Sequence, residues 1–303
     1  MMVPALLLIS VVVFLIIHLI PGDPASILAG PNATPEQLHA LTRQFGLDRP
    51  LWLQYGLWLR NALTGDLGYS FISRVAVNEM IARRVPATVE LTVAAALIAV
   101  LISFPLGIIS ALKPGSVFDF ISTLFSALSF AVPSFWLGLL LILFFSVQLR
   151  LLPPSGRADL DEPVAHLKSL IMPAFTLGIA MAAKLAPYLR SSMLDVLSQD
   201  YVRTARGKGL PEKSVITRHA LRNALIPVIT VLGLQTGDLL SGAIIVESVF
   251  AWPGVGRLTV QSIGWRDYSL LQATVVYIVL AFMLINLVTD LAYAFIDPRI
   301  RLR

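Results

Sequence analysis

No cysteine occurs among the 303 residues, which excludes disulfides, thiolate metal sites and cysteine nucleophiles together and leaves the redox compartment unmarked. Charge is scarce as well. Only 14% of residues are charged, while 56% are hydrophobic and the mean hydropathy is +0.79; soluble domains carry roughly a quarter charged residues. The chain is an integral membrane protein. Its formal charge of +5 is small for the length and is distributed by side of the membrane, which argues against a nucleic-acid surface. The four histidines are scattered without metal-catalytic spacing. A phosphate-binding loop is also missing, because Gly207-Lys208-Gly209 has neither the spacing nor a preceding strand. The chain therefore does not hydrolyse ATP alone.

What is present is a series of apolar runs of about 20 residues, the length that a hydrocarbon core of ~30 Å requires. They fall at Val3 to Ile20, Ala87 to Leu112, Phe118 to Val147, Leu170 to Leu189, Ala224 to Ser248 and Leu270 to Ile296. An all-α, polytopic protein with six membrane helices is expected. The first run reads as a retained helix rather than a secretory signal, since no basic residue precedes it and Pro21-Gly22-Asp23-Pro24 is a poor cleavage site. Domain boundaries follow: 1–20 as the first membrane helix, 21–86 as an insertion, and 87–303 as a core with five further helices and a polar loop at about 190–223.

Lys and Arg set the orientation. With the 190–223 loop inside, six helices put both termini inside, and eleven basic residues lie there: Lys113, seven from Arg190 to Arg222, and Arg299, Arg301 and Arg303. The outside also receives eleven, but six of them (Arg43, Arg49, Arg60, Arg74, Arg83, Arg84) sit in the long 21–86 segment, which counts weakly. Within that segment Thr34-Pro35-Glu36-Gln37 has the pattern of a capping box. A second helix is expected from Leu51 to Leu63, with Trp52, Tyr55, Trp58 and Leu59 as an aromatic stripe. Such a helix suits either the membrane interface or a platform for an extracytoplasmic partner.

The longest strongly charged run is Gln199 to Asn223. Ser191 to Lys208 is expected to continue the fourth membrane helix, Gly209 to break it, and Pro211 to open a second helix through Val215, Ile216, His219 and Leu221. The product is a knuckle outside the bilayer. Polar residues inside the bilayer are costly and mark function or pairing: Lys184 in the fourth helix, and Gln235, Asp238 and Ser241 at spacings of three in the fifth. Those three share a face that can line a pathway, while Lys184 and Asp238 can equally pair with each other. Asn286, Asp290 and Tyr293 form another polar stripe. Proline falls within or beside several spans (Pro105, Pro133, Pro173, Pro187, Pro227), and Pro133, in Ser129-Phe130-Ala131-Val132-Pro133-Ser134, is the best hinge candidate.

The run Thr204-Ala205-Arg206-Gly207-Lys208-Gly209-Leu210, followed by Arg218-His219-Ala220-Leu221-Arg222-Asn223-Ala224-Leu225-Ile226-Pro227-Val228, resembles the ATPase-contacting loop of ABC importer permeases of the dipeptide, oligopeptide, nickel and glutathione branch. Val246-Glu247-Ser248-Val249-Phe250-Ala251-Trp252-Pro253-Gly254-Val255-Gly256-Arg257 resembles the outer-side turn of these permeases, and Asp297-Pro298-Arg299-Ile300-Arg301 resembles their ending. Arg203, Ala205 and Gly209 match the family signature. Thr204 replaces the usual Glu, and the distance from Gly209 to Leu225-Ile226-Pro227 exceeds the general importer pattern; both departures are normal for the peptide branch. The family's basic N-terminus is absent, which points to a start upstream.

The resemblance implies a type I importer permease fold in a bacterial or archaeal inner membrane, with an extracytoplasmic insertion between helices 1 and 2 that helps receive a solute-binding protein. It implies a second homologous permease subunit and two cytoplasmic ATPases that carry ATP and Mg, with lipid around the helices, no cofactor or metal on this chain and no nucleic acid. ATPase coupling would fall to Arg203, Thr204, Ala205, Arg206, Gly209 and Arg218, the pathway to Pro133, Ser134, Lys184, Gln235, Asp238 and Ser241, and the outer mouth to Glu247 and Trp252. The solute would be a peptide or a related compound such as glutathione, an opine or a nickel chelate. Two other readings stand beside this one: an ion-coupled carrier using Lys184 and Asp238, and a non-transporting membrane anchor for an ATPase.

Overall fold

The computed structural model describes residues 2–19, 34–44 and 48–296. Within them the chain is helical apart from loops and one antiparallel bridge between Tyr69 and Ala76. The helices are α1 (Met2–Leu19), α2 (Pro35–Gln44), α3 (Leu51–Leu63), α4 (Val77–Leu112), α5 (Val117–Ala131), α6 (Ser134–Leu141, continued by a π-helical turn over Ile142–Gln148), α7 (Pro163–Leu197) and α8 (Asp200–Gly207). There follow α9 (Glu212–Ser214), a π-helical turn over Val215–Leu221, α10 (Arg222–Val249), α11 (Val255–Trp265) and α12 (Tyr268–Ile296). The chain divides into two compact units, Met1–Pro86 with Gly254–Ala281, and Ala87–Pro253 with Phe282–Arg303.

Local chemistry explains the first unit's helices. Thr34 Oγ1 accepts from the Gln37 amide at 3.3 Å and Gln37 Oε1 accepts from the Thr34 amide at 3.1 Å, a reciprocal capping box that starts α2. The backbone amide of its own turn, with Thr34, holds the Glu36 carboxyl below its ordinary range. The ring of Tyr55 on α3 meets Phe14 of α1 edge-on at 5.5 Å, and its hydroxyl lies 2.8 Å from Ser10 Oγ. A small core of Val77, Ile81, Leu258, Leu270 and Ala273 ties the start of α4 to α11 and α12. Ser70 Oγ and the Phe71 amide both donate to Asp267, which also accepts from the Leu270 amide and so caps α12.

In the second unit the helices pack through small residues. On α4 the stripe Ala87, Leu91, Ala95 and Ala99 is buried, while Val89, Val93, Leu97 and Leu101 on the opposite side are exposed. That is the reverse of a soluble helix, and it follows from a solvent as apolar as leucine, in which helices gain by close backbone approach rather than by hiding large side chains. Gly107 illustrates the point: a Cβ there would lie 2.9 Å from both Ala186 O and Leu189 Cβ of α7.

Among the described residues, four helices are long and apolar enough to cross a membrane: Val77–Leu112, Pro163–Leu197, Glu212–Val249 and Tyr268–Thr289. A fifth crossing exists if α5 and α6 with its continuation are one broken span, and Leu6–Leu15 is a shorter apolar helix. Several sequence-based boundaries move. The second apolar run begins ten residues earlier than expected, at Val77, and the fourth extends from Pro163 to Leu197, because polar residues continue a helix beyond the hydrocarbon. Pro133 does not kink a continuous helix. The chain turns by 102° between α5 and α6, with Pro133 as the N-cap of α6 at φ −61° and ψ 139° and Val132 extended before it, as sterics before proline demand.

Candidate functional site

α7 does not run on to Lys208. It stops at Leu197, the chain turns through Ser198 and an extended Gln199, and α8 starts afresh at Asp200. Asp200 lies in the first turn of α8, where a carboxylate suits the helix dipole. The end of α8 is a Schellman motif: the Leu210 amide donates to Ala205 O at 3.4 Å, and the Gly209 amide to Arg206 O at 2.9 Å. Gly209 is the left-handed residue this motif needs, at φ +75°, and a Cβ there would meet nothing within 4 Å. Conformation rather than space requires the glycine. Pro211 is the N-cap of α9 rather than its first residue. The expected second helix is no separate piece, since α9 and the π-helical turn continue into α10.

The knuckle is fastened to its base. Val202, Ala205 and Val215 are buried together, with Val196 and Leu197 of α7 packed against them. Across the turn, Arg206 donates to both carboxylate oxygens of Glu212, at 3.2 Å and 2.7 Å. These hydrogen bonds raise the basicity of the Arg206 guanidinium further. Arg203, Thr204, Gly209 and Arg218 are exposed. Ala205, grouped with them from the sequence, faces inward at 5% exposure; its methyl secures α8 and is not part of the outer surface.

Lys184 Nζ lies 3.4 Å from Asp238 Oδ2, joining α7 to α10. Asp238 and Ser241 lie on the exposed side of α10, Gln235 is half-buried beside them, and Pro133 is exposed with Ser134 half-buried next to it. No described contact brings Pro133 to the Lys184–Asp238 pair. Asn286 is half-buried on α12; the side chains of Asp290 and Tyr293, and the ending from Asp297, lie outside the described residues.

Glu247 and Trp252 stand elsewhere than at an open mouth. Both are wholly buried. Glu247 accepts from Thr88 Oγ1 at 2.7 Å, and Trp252 Nε1 donates to Ala87 O at 2.8 Å, so the turn after α10 is bolted to α4. Ala251 makes that turn at φ +50°.

Beside it is a group that sequence reasoning missed. Glu90 Oε2 accepts from Arg157 Nε at 2.9 Å and from its terminal nitrogen at 2.7 Å, while Glu90 Oε1 meets His166 Nε2. The Arg157 guanidinium also lies over the Trp252 ring at 5.8 Å. At the other end of α7, Arg190 donates through two nitrogens to Asp119 of α5, at 2.6 Å and 2.8 Å. A carboxylate in one apolar run and a basic residue in or beside another was the available signal; which partners meet was not.

Residues 103–302 match the family described as "Binding-protein-dependent transport system inner membrane component", and residues 2–92 match its N-terminal companion. The chain is 46% identical over 300 residues to a glutathione transport system permease protein, GsiC, of Escherichia coli O6:H1, covering 99% of this chain and 96% of that one. It is 41% identical over 322 residues to a dipeptide transport system permease protein, DppB, of Alkalihalophilus pseudofirmus, covering 99% and 97%. Among solved structures, an inward-facing MetNI methionine ABC transporter has a TM-score of 0.58 at 17% identity over 72% of this chain and 96% of that chain. A crystal structure of an amino acid ABC transporter has a TM-score of 0.53 at 16% identity over 73% and 94%.

Proposed function

Because the chain belongs to the family of binding-protein-dependent transport inner membrane components and is a multi-pass permease subunit of an ABC importer, we propose that it forms half of a translocation pathway for a small peptide or a related solute. Glutathione, an opine and a nickel chelate are the related candidates. Its partners are a second homologous permease, two ATPases that bind ATP and Mg, and an extracytoplasmic solute-binding protein. The family match sets aside the ion-coupled carrier and the inert anchor. In this reading the membrane is the inner membrane of a bacterium or archaeon. The chain crosses it six times, with α5 and α6 as one broken span, α1 as the first and both termini on the ATPase side. The segment at 21–86 is then extracytoplasmic.

The observation that carries the reading is the rigid knuckle at 200–214. A nucleotide-driven displacement reaches the membrane only through a projection that does not deform, and α8 is held by its own core, a Schellman turn and the Arg206–Glu212 pair. Arg203, Thr204, Arg206, Gly209 and Arg218 present its outer surface to the ATPase. The exposed polar side of α10, with Lys184, lines the pathway. Closure of the ATPases around ATP opens it outward and hydrolysis returns it inward.

The test uses the assembled transporter in proteoliposomes. ATP-dependent uptake of di- and tripeptides, glutathione and a nickel chelate, each with and without the cognate binding protein, is expected for one solute class. In the naturally cysteine-free chain, Asp238→Cys is expected to react with a small water-soluble thiol reagent, more slowly when solute is present. Inertness of that cysteine in both nucleotide states would remove α10 from the pathway.

A further inference from the structure

The second unit contains a joint at Asp119. It is nearly buried, 8% exposed, and three pieces of the chain converge on it. Its own helix, α5, is capped by Ser116, whose side chain accepts from the Asp119 amide. Its carboxylate accepts from the Gly115 amide at 2.9 Å, which closes the turn from α4 into α5. The same carboxylate takes the two-pronged hydrogen bond from Arg190 of α7. Arg190 lies only seven residues before Leu197, the last residue of α7, and so less than three turns from the base of the knuckle. One turn earlier α7 touches α4 at Gly107, and two residues later Ser192 Oγ donates to Ala224 O of α10 at 2.8 Å.

A largely buried ion pair is a poor device for stability alone, because desolvation of both charges cancels much of their attraction and an apolar pair of similar size packs as well. What the planar guanidinium fork adds is geometry, since two parallel hydrogen bonds fix both the rotation and the register of one helix against the other. A change of register at α7 is therefore carried into α5. From Asp119 the helix runs twelve residues to Ala131, about 18 Å at 1.5 Å per residue, and there meets the 102° corner with α6.

We propose that Asp119 and Arg190 are the positioning residues that pass displacement of the knuckle to the broken α5–α6 pair. They touch neither solute nor nucleotide. Their joint makes α7, the α4–α5 turn and α5 move as one lever, and the extended Val132–Pro133 link is where that lever changes the pathway wall. This inference rests on the reading of α8 as the ATPase contact, and the two are separable: without that contact the unmodified complex shows no ATP-driven uptake and an Arg203→Cys variant gives no crosslink to the ATPase, whereas without the joint only the variants below depart from expectation.

The experiment measures solute uptake and binding-protein-stimulated ATP hydrolysis on the same proteoliposomes. Asp119→Asn and Arg190→Met are expected to assemble, to keep at least half of the stimulated hydrolysis and to lose uptake about tenfold, so that ATP consumed per solute rises. Arg190→Lys, which keeps the charge and loses the fork, is expected to lose uptake about threefold. A double variant, Asp119→Cys with Arg190→Cys, is expected to recover at least a third of normal uptake when a short bifunctional thiol reagent bridges the pair, and to lose it again on cleavage of the bridge. Unchanged ATP consumption per solute in Asp119→Asn, hydrolysis and uptake falling in proportion in Arg190→Lys, or a bridged pair with no recovery would each overturn the proposal.

Discussion

The start of α7 and the projection beyond its far end are built from the same kinds of groups and differ in how far apart their partners lie in the chain. At the start of α7, His166 and Arg157 meet Glu90, 76 and 67 residues away. Nearby, Trp252 and Glu247 reach Ala87 and Thr88 across 165 and 159 residues. Beyond its other end, Arg206 pairs with Glu212 only six residues on, and the core of α8 draws on residues between Val196 and Val215 alone. Some 46 Å of helix separates His166 from Leu197, at 1.5 Å per residue. One end is stitched to distant parts of the chain and holds the bundle together. The other is built from near neighbours in the chain, with the hydrogen bond from Asn223 to the Tyr201 hydroxyl tying it to α10. An Arg–carboxylate pair therefore does different work in the two places: with side chains 21% and 22% exposed, Arg157–Glu90 lies largely out of water, whereas Arg206–Glu212, at 42% and 55%, stays hydrated and contributes little to stability.

The sharpest way to break this contrast is Trp252→Ala. Deleting a fully buried indole costs about 3–5 kcal/mol, and the bond to Ala87 O is lost as well. Thermal unfolding of the purified complex should fall steeply, with reduced yield from membranes. Next in size is the pair between the two ends. Lys184→Met leaves Asp238 without its lysine partner and should lower assembly and uptake, and Lys184→Met with Asp238→Asn should recover much of the loss. A double variant as defective as the sum of the singles would assign the two residues independent roles.

Gly209→Val places a β-branched residue at φ +75°, a conformation that costs about 1–2 kcal/mol for residues with a Cβ. Because the knuckle carries its own core, that cost should appear as lost uptake with unchanged yield and unfolding temperature, while Gly209→Asn should retain most uptake. If Gly209→Val lowered the unfolding temperature as far as Trp252→Ala does, the coupling end would not be self-contained. The smallest effect is expected for Arg206→Gln, which removes a hydrated ion pair worth less than about 1 kcal/mol. Unfolding should not shift measurably, and any loss of uptake should be sensitive to salt.

Legibility followed sequence distance. The Leu51–Leu63 helix, the capping box at Thr34 and the turn at Gly209 depend on residues within a few positions of one another, and their signals were readable. The break at Ser198–Gln199 was not. Both residues are tolerated in helices, and the turn exists because Val202 and Ala205 must reach Val196, Leu197 and Val215. Pro133 is visible as an interruption, but whether it bends or breaks the helix is not legible. A proline inside a membrane run is compatible with a kink or with a full break, and here the chain leaves the helical region for two residues before α6 begins. The polar run Gln235, Asp238 and Ser241 is found through its cost in lipid, whereas Asp119 and Arg190 lie at the edges of their apolar runs, where that cost is small and nothing local says that they meet.

By itself the sequence determined the solvent, the all-helical character, the apolar runs and the position of the charged projection, because each depends on composition or local spacing. It resembled the right family through motifs that are also local. Only the tertiary structure decided which face of each membrane helix is inside. On α4 the stripe Ala87, Leu91, Ala95 and Ala99 is buried and the stripe Val89, Val93, Leu97 and Leu101 exposed, and an amphipathic reading has nothing to follow when both faces are apolar. It also decided that Glu247 and Trp252 are internal fastenings. Their burial depends on Thr88 and Ala87, brought to them by the packing of α4, and not on neighbours in the chain.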